Sequence, residues 1–142
     1  MNKNIVVAAA LCALSGGCAT VDPQVAALAA QTYRDSIPTC NSAKECEVKW
    51  AAARNWMLSN CGFRLQTVQP DYLETYKSGD SADTGLYCRV VKTPYSETGY
   101  RIELTAGANN FLMYSAHSLT EVKQRFNDAV NAAWRPTAAT SY

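Results

Sequence analysis

Histidine is almost missing from this chain: His117 is the only one in 142 residues. That excludes the imidazole-rich clusters that hold most catalytic zinc ions. It also leaves a single ring around which a nucleophile such as Ser115 or Ser118 and an acid such as Asp128 would have to gather. No Gly-x-Ser-x-Gly elbow is present to expose such a serine, and no triad follows from this spacing. His117 is read as a packing residue at a helix entry. A surplus of charge is missing too, with 13 Lys and Arg against 12 Asp and Glu. Binders of nucleic acid and polybasic membrane-surface proteins need an excess of cations, so both classes are excluded. No apolar run approaches the roughly 20 residues that cross a bilayer core. The 105–110 segment, Thr-Ala-Gly-Ala-Asn-Asn, has neither the glycines nor the lysine of a phosphate cradle. Residues 80–85 lack the spaced oxygen ligands of a calcium loop. Asp71 with Glu74, or Asp80 with Asp83, would be the carboxylate pairs of a glycan-cleaving site. The first pair flanks a strand whose alternate residues point apart and the second lies in a loop, so both are read as solvated surface. No metal and no cofactor is expected.

What is present begins with an export signal. Lys3 precedes an uninterrupted apolar run of ten residues, 5–14, which has the length of a signal-peptide core and not of a membrane span. Leu14-Ser15-Gly16-Gly17-Cys18 follows. This resembles the lipobox of bacterial lipoproteins, with Leu14 four places before the cysteine where the family has it three before. The resemblance implies that residues 1–17 are removed and that Cys18 becomes a lipidated N-terminus carrying diacylglyceryl and an N-acyl chain such as palmitate. Two or more chains make such anchoring stable. Ala19 stands where an aspartate would signal inner-membrane retention, so the resemblance implies the outer membrane, with the domain in the periplasm. The alternative is an ordinary signal peptide cut after Ala19, giving a soluble periplasmic protein. Cysteine count favours the lipoprotein. After cleavage Cys18, Cys40, Cys46, Cys61 and Cys88 remain, an odd set for an exported chain. A thioether at Cys18 leaves four that can pair.

Removal of residues 1–17 takes Lys3 alone among the charges and leaves material for one domain with a real core. Residues 18–38 form the anchor and an N-terminal helix, 39–135 the domain, and 136–142 a frayed tail. Asp22-Pro23 is a helix start, with an acid at the cap and proline at the first position. Val25, Leu28, Ala29, Thr32 and Tyr33 then recur at helical spacing, a stripe poor enough in large residues to suggest a spacer more than a flap on the domain. Ser42-x-x-Glu45 is a capping box opening a second helix with the stripe Cys46, Trp50, Ala53 and Met57, flanked by Ala52 and Trp56. Asn60-Cys61-Gly62 ends it. Strands follow: Phe63, Leu65 and Thr67 on one face of the first; Tyr72, Glu74 and Tyr76 opposite Leu73 and Thr75 in the second; Leu86, Cys88 and Val90 on one side of the third. Tyr100, Ile102 and Leu104 alternate with Arg101, Glu103 and Thr105 in the fourth, the cleanest period of two in the chain. Gly107 to Asn110 reads as a turn and 111–115 as a fifth strand. Ser118-x-x-Glu121 is a second capping box, starting a helix with the stripe Leu119, Val122, Phe126, Ala129, Val130 and Ala133 that Arg135-Pro136 stops. The expected class is α+β: an antiparallel sheet of four to five strands with two helices packed on one face, preceded by an N-terminal helix.

Four cysteines allow three connectivities. The favoured one is Cys40–Cys46, fixing how the chain enters the second helix, with Cys61–Cys88, locking that helix to the third strand and adding about 3 kcal/mol by loop entropy. A zinc site is disfavoured by the Cys40-x5-Cys46 spacing and by an oxidising compartment. Tyrosine is frequent, and Tyr72, Tyr76 and Tyr87 are the weak candidates for a binding face, since tyrosine joins area to a polar handle; it is equally an ordinary strand residue.

The run CNSAKECEVKWAAARNWMLSNCGFRLQT, then YLETY and later Val-Lys-x-Pro, resembles a group of small uncharacterised proteobacterial lipoproteins over residues 40–105. The resemblance implies export and anchoring and supplies no site. The expected function is that of a non-enzymatic interaction module, held to the membrane by its lipid anchor and presented to an envelope protein partner. The alternative is a small-ligand or lipid binder with an apolar pocket between the sheet and the last helix, beside residues 111–114. Intact mass of the chain purified from membranes checks the anchor. The expected chain starts at Cys18 with acyl mass, and reduction adds two hydrogens for each disulfide. A lipid-free chain starting at Thr20 would instead be the product of an ordinary signal peptide.

Overall fold

Period-two burial in the longest strands organises the molecule. The computed structural model describes residues 22–79, 85–109 and 116–135. The signal segment with Lys3 and Cys18, the Asp80–Asp83 pair, the expected strand at 111–115 and the tail at 136–142 lie outside them, as does the side chain of His117. In order along the chain are α1 (Pro23–Ser36), β1 (Thr39–Cys40), α2 (Ala43–Asn60), β2 (Leu65–Val68), β3 (Tyr72–Thr75), β4 (Leu86–Pro94), β5 (Tyr100–Ala108) and α3 (Ala116–Ala132). The five strands form one antiparallel sheet in the order β1-β5-β4-β3-β2. It is an α+β architecture, with α2 crossing from one edge strand to the other and α3 beside it on the same face.

The inner face is built by alternation. Leu86, Cys88 and Val90 of β4 stand in register with Ala108, Ala106 and Leu104 of β5, and Leu73 of β3 with Val90. Ile102 joins them, and all are buried. Ala53 and Met57 of α2 and Val122, Phe126 and Val130 of α3 close the core from the other side. Trp56 meets the Phe126 ring edge-on at 5.3 Å between centroids, a favoured geometry for an aromatic pair. Where β3–β4 pairing stops, Cys88 N–H donates to Thr75 Oγ1 at 2.9 Å instead of to a strand carbonyl. The threonine thus satisfies a buried donor whose loss would cost about 1–3 kcal/mol.

Both favoured disulfides are present: Cys40–Cys46, with Cα atoms 5.0 Å apart, and Cys61–Cys88, with Cα atoms 6.1 Å apart. The first ties β1 to the opening turn of α2, and the second ties the end of α2 to the core face of β4. The second closes the longer loop, 27 residues in separation against 6. Loop entropy assigns them about 3.5 and about 2 kcal/mol respectively. Beside the second bridge Gly62 N–H donates to Leu86 O at 3.0 Å, and a Cβ on Gly62 would lie 2.6 Å from Gly85 Cα, so the backbones approach too closely there for any side chain.

Several expectations are corrected. The sheet has a strand that the sequence did not announce: β1, two residues long and pinned by the Cys40–Cys46 bridge, an element too short for periodicity to reveal. The chain does not turn at Gly107: β5 runs on to Ala108, because its partner β4 continues in register to Leu86. α3 starts at Ala116, so Ser118 lies inside its first turn. A Ser-x-x-Glu spacing fits the interior of a turn as well as its cap. Ala129 and Ala133 are exposed, whereas Asn127, at 2 % exposure, faces inward. The Asn127 and Asn131 amides donate to Ser36 Oγ (3.0 Å) and Ser36 O (2.8 Å), fastening the end of α1 to α3. α1 itself has no buried residue. Asp22 caps it as expected, accepting from Gln24 N–H at 2.8 Å.

Lys49 is a further correction to the α2 stripe. It is 7 % exposed, and its ammonium donates to Thr39 O at 2.6 Å and pairs with Glu45 at 2.8 Å. Glu45 in turn accepts from Asn41 N–H at 2.9 Å, one residue before the cap position that a capping box uses. Partial burial pushes the Glu45 carboxyl up, but hydrogen bonds from Lys49 and Asn41 N–H, with the Lys49 charge, outweigh it and hold the group below its ordinary 4.5. A carboxyl lowered on folding adds stability above its unfolded value and loses it as pH falls through the folded one. Glu45→Gln is therefore expected to lower the urea midpoint at about pH 7, with the gap to the parent chain closing by about pH 3. An equal gap at both pH values would mean that the charge of Glu45 contributes nothing.

Candidate functional site

Alternation sends the odd-numbered residues of β4 and β5 to the face away from α2 and α3. Tyr87 and Arg89 project there, opposite Gly107 and Thr105, and Tyr72 and Glu74 join them from β3, opposite Val91 and Arg89. The Tyr72 phenol lies beside Glu74 on its own strand and near Arg89, the register partner of Glu74 on β4. Partial burial and then Glu74 raise its phenol above the ordinary 10.0, with Arg89 pulling the other way. Tyr87 lies across Gly107, where any Cβ would run into its ring, and the Lys77 ammonium sits 4.8 Å from the ring centroid.

Tyr72 and Tyr87 therefore share a face without meeting. Val91, opposite Tyr72, is four residues along β4 from Tyr87, which is about 13 Å of strand, and the Glu74–Arg89 pair stands between. Tyr76, 55 % exposed, falls just beyond β3. The result is a tyrosine-and-charge surface rather than one aromatic patch.

The other expected groupings do not converge. Asp71 is in the β2–β3 turn, while Glu74 is on the helix-free face. His117 is in the first turn of α3 and Asp128 eleven residues on, about 16 Å along the axis. Asp128 is instead hydrogen-bonded to Gln124 at 3.0 Å. Among the described residues no group of three or more His, Cys, Asp or Glu is placed to hold a metal ion, and no helix is long and apolar enough to cross a membrane. Between the sheet and α3 the described residues are filled by Val122, Phe126 and Val130; residues 111–114 lie outside the description.

The open space is on the inner face at the other end of α2. A groove of about 990 Å³ runs between the N-terminal half of α2 and the end of the sheet, lined by Cys46, Trp50, Arg54, Val68, Lys92 and Tyr100 among others. Lys92 Nζ lies 5.1 Å from the Trp50 ring and 5.6 Å from that of Tyr100, a cation held between two aromatic faces. Its backbone N–H donates to Asp71 O at 2.8 Å, fixing the β2–β3 turn at the groove mouth. Sequence reasoning missed this site, though its signal was legible: Lys92 continues the core-face series Leu86, Cys88 and Val90, and Tyr100 continues the series Leu104 and Ile102. A lysine and a tyrosine on the core side of paired strands mark where the core gives way to an opening.

The Tyr87–Gly107 contact is open to a mutational test. Gly107→Ala is expected to cost about 1–3 kcal/mol in urea unfolding, as overpacking does, and to cost little in a Tyr87→Ala background. Equal costs in the two backgrounds would show that the ring does not rest on the glycine. No family model, curated protein or solved structure matches this chain.

Proposed function

We propose that the chain is an outer-membrane lipoprotein, anchored at Cys18, whose periplasmic domain is a non-enzymatic interaction module that receives a segment of an envelope protein in the α2–sheet groove. The observation that carries the binding reading is the Trp50–Lys92–Tyr100 arrangement in an open groove. Tryptophan, tyrosine and arginine are the residues on which interface energy concentrates, and a concave setting lets them exclude water. Arg54 and Glu47 at the same groove supply charges of both signs, suited to orienting a polar chain. Two disulfides in a small domain agree with an oxidising compartment. The lipobox-like Leu14-Ser15-Gly16-Gly17-Cys18 and the likeness of residues 40–105 to small lipoproteins support the anchor.

A photo-crosslinking residue in place of Tyr100 in the full-length chain, activated in the host's envelope, tests the groove. The expected result is a discrete adduct with an envelope protein, roughly tenfold weaker when Trp50→Ala or Lys92→Glu is added, the factor expected from losing one interface anchor. Lys92→Glu alters charge without opening the core, which separates loss of binding from loss of fold. The same adduct from exposed Ser59, or an adduct indifferent to both substitutions, would overturn the groove as the binding site.

A further inference from the structure

α1 is a helix that its own domain does not cover. Val25, Leu28, Ala29, Thr32 and Tyr33 form its stripe and wall one side of a cleft of about 460 Å³, with Thr120, Glu121 and Gln124 of α3 on the other side. Val25 is 58 % and Leu28 68 % exposed. Contact with α3 is secured at the far end, where Ser36 meets Gln124, Asn127 and Asn131. A helix facing water carries charge on its outer face, yet from Pro23 to Tyr33 there is none; the charges are confined to the cap, Asp22, and to Arg34 and Asp35. Pro23, two glutamines and three alanines make up the rest of that stretch.

Cys18 precedes Pro23 by five residues. A fully extended chain of that length spans at most about 18 Å. The polar layer on each side of a bilayer is about 5–8 Å thick. An acyl-anchored Cys18 therefore holds the first turns of α1 close to the headgroups, whatever path residues 19–22 take. Charge is scarce and the apolar stripe exposed on the same stretch of chain that the anchor brings to the lipid.

We propose that the α1 stripe, Val25, Leu28, Ala29 and Thr32, rests on the surface of the bilayer that holds Cys18, so that the domain is seated on the membrane and does not swing on a tether. The inference rests on the lipid attachment proposed above. An apolar helix face enters the boundary between headgroups and acyl chains by about 5–10 Å, a depth that admits valine and leucine side chains. The Ser36 hydrogen bonds make α1 and α3 one unit, so seating α1 also sets the orientation in which the domain meets its partner.

The test uses full-length protein purified from bacterial membranes and returned to vesicles of phosphatidylethanolamine and phosphatidylglycerol. An environment-sensitive fluorophore is attached to Leu28→Cys and, separately, to Ala27→Cys on the opposite side of the helix and to Glu97→Cys in the β4–β5 turn. Intact mass is measured on the same samples. The expected result is an acylated chain in which the Leu28 probe alone is blue-shifted and quenched by nitroxide-bearing lipids. An unacylated chain would remove the anchor on which the inference stands. An acylated chain with the Leu28 probe in water would leave the anchor intact and overturn the seating of α1. A Leu28 probe shielded from water but untouched by lipid nitroxides would overturn it as well, pointing to a second copy of the chain over the stripe.

Discussion

Everything in this domain hangs on how α2 is fastened. One disulfide fixes its first turn to the edge strand β1, and the other fixes its last residue's neighbour, Cys61, to the central strand β4. Between those two points the helix must cross the inner face of the sheet at one angle, and Ala53 and Met57 are thereby pressed into the core. Here two covalent points reduce the unfolded chain's freedom and leave the helix one place to lie.

The polar fastening at the start of α2 depends on the same geometry. Lys49 is a poor residue to bury, and it is tolerated because Thr39 O and Glu45 are both within hydrogen-bond reach of its ammonium. Thr39 is at that distance because Cys40 is bonded to Cys46 in the turn above. A two-residue strand would fray on its own. Supported by the disulfide and by Lys49, it closes the sheet edge beside β5, where Ile102 N–H also donates to Pro38 O at 2.8 Å.

The same fastening decides where space is left. Around Phe126 the layers are filled, but toward the β4–β5 turn the inner positions pass from aliphatic side chains to Lys92 and Tyr100, and the gap under α2 opens into the groove. On the opposite side, Tyr87 covers Gly107 and Tyr72 is half-buried on β3, so those tyrosines spend much of their surface on the sheet itself. The groove beside α2 and the exposed stripe of α1 are thus separate surfaces.

The sequence by itself determined whatever depends on near neighbours. Ser42 and Asp22 announce helix starts because a cap needs only the next turn. Strands β4 and β5 show in their alternation because one wall of each is dry, and the disulfide pairing is legible because Cys40 and Cys46 flank one helix entry while Cys61 leaves that helix toward the core face that Cys88 lines. Tertiary structure alone decided the rest. β1 exists only against β5, Lys49 is buried only because Thr39 comes back over it, and Asn127 turns inward only because Ser36 lies there. The groove belongs there only in part: Lys92 and Tyr100 meet across one hairpin and show in its alternation, but Trp50 reaches them from α2. The place of Trp50 comes from the angle at which two disulfides hold α2 across the sheet, and a long-range angle leaves no local pattern.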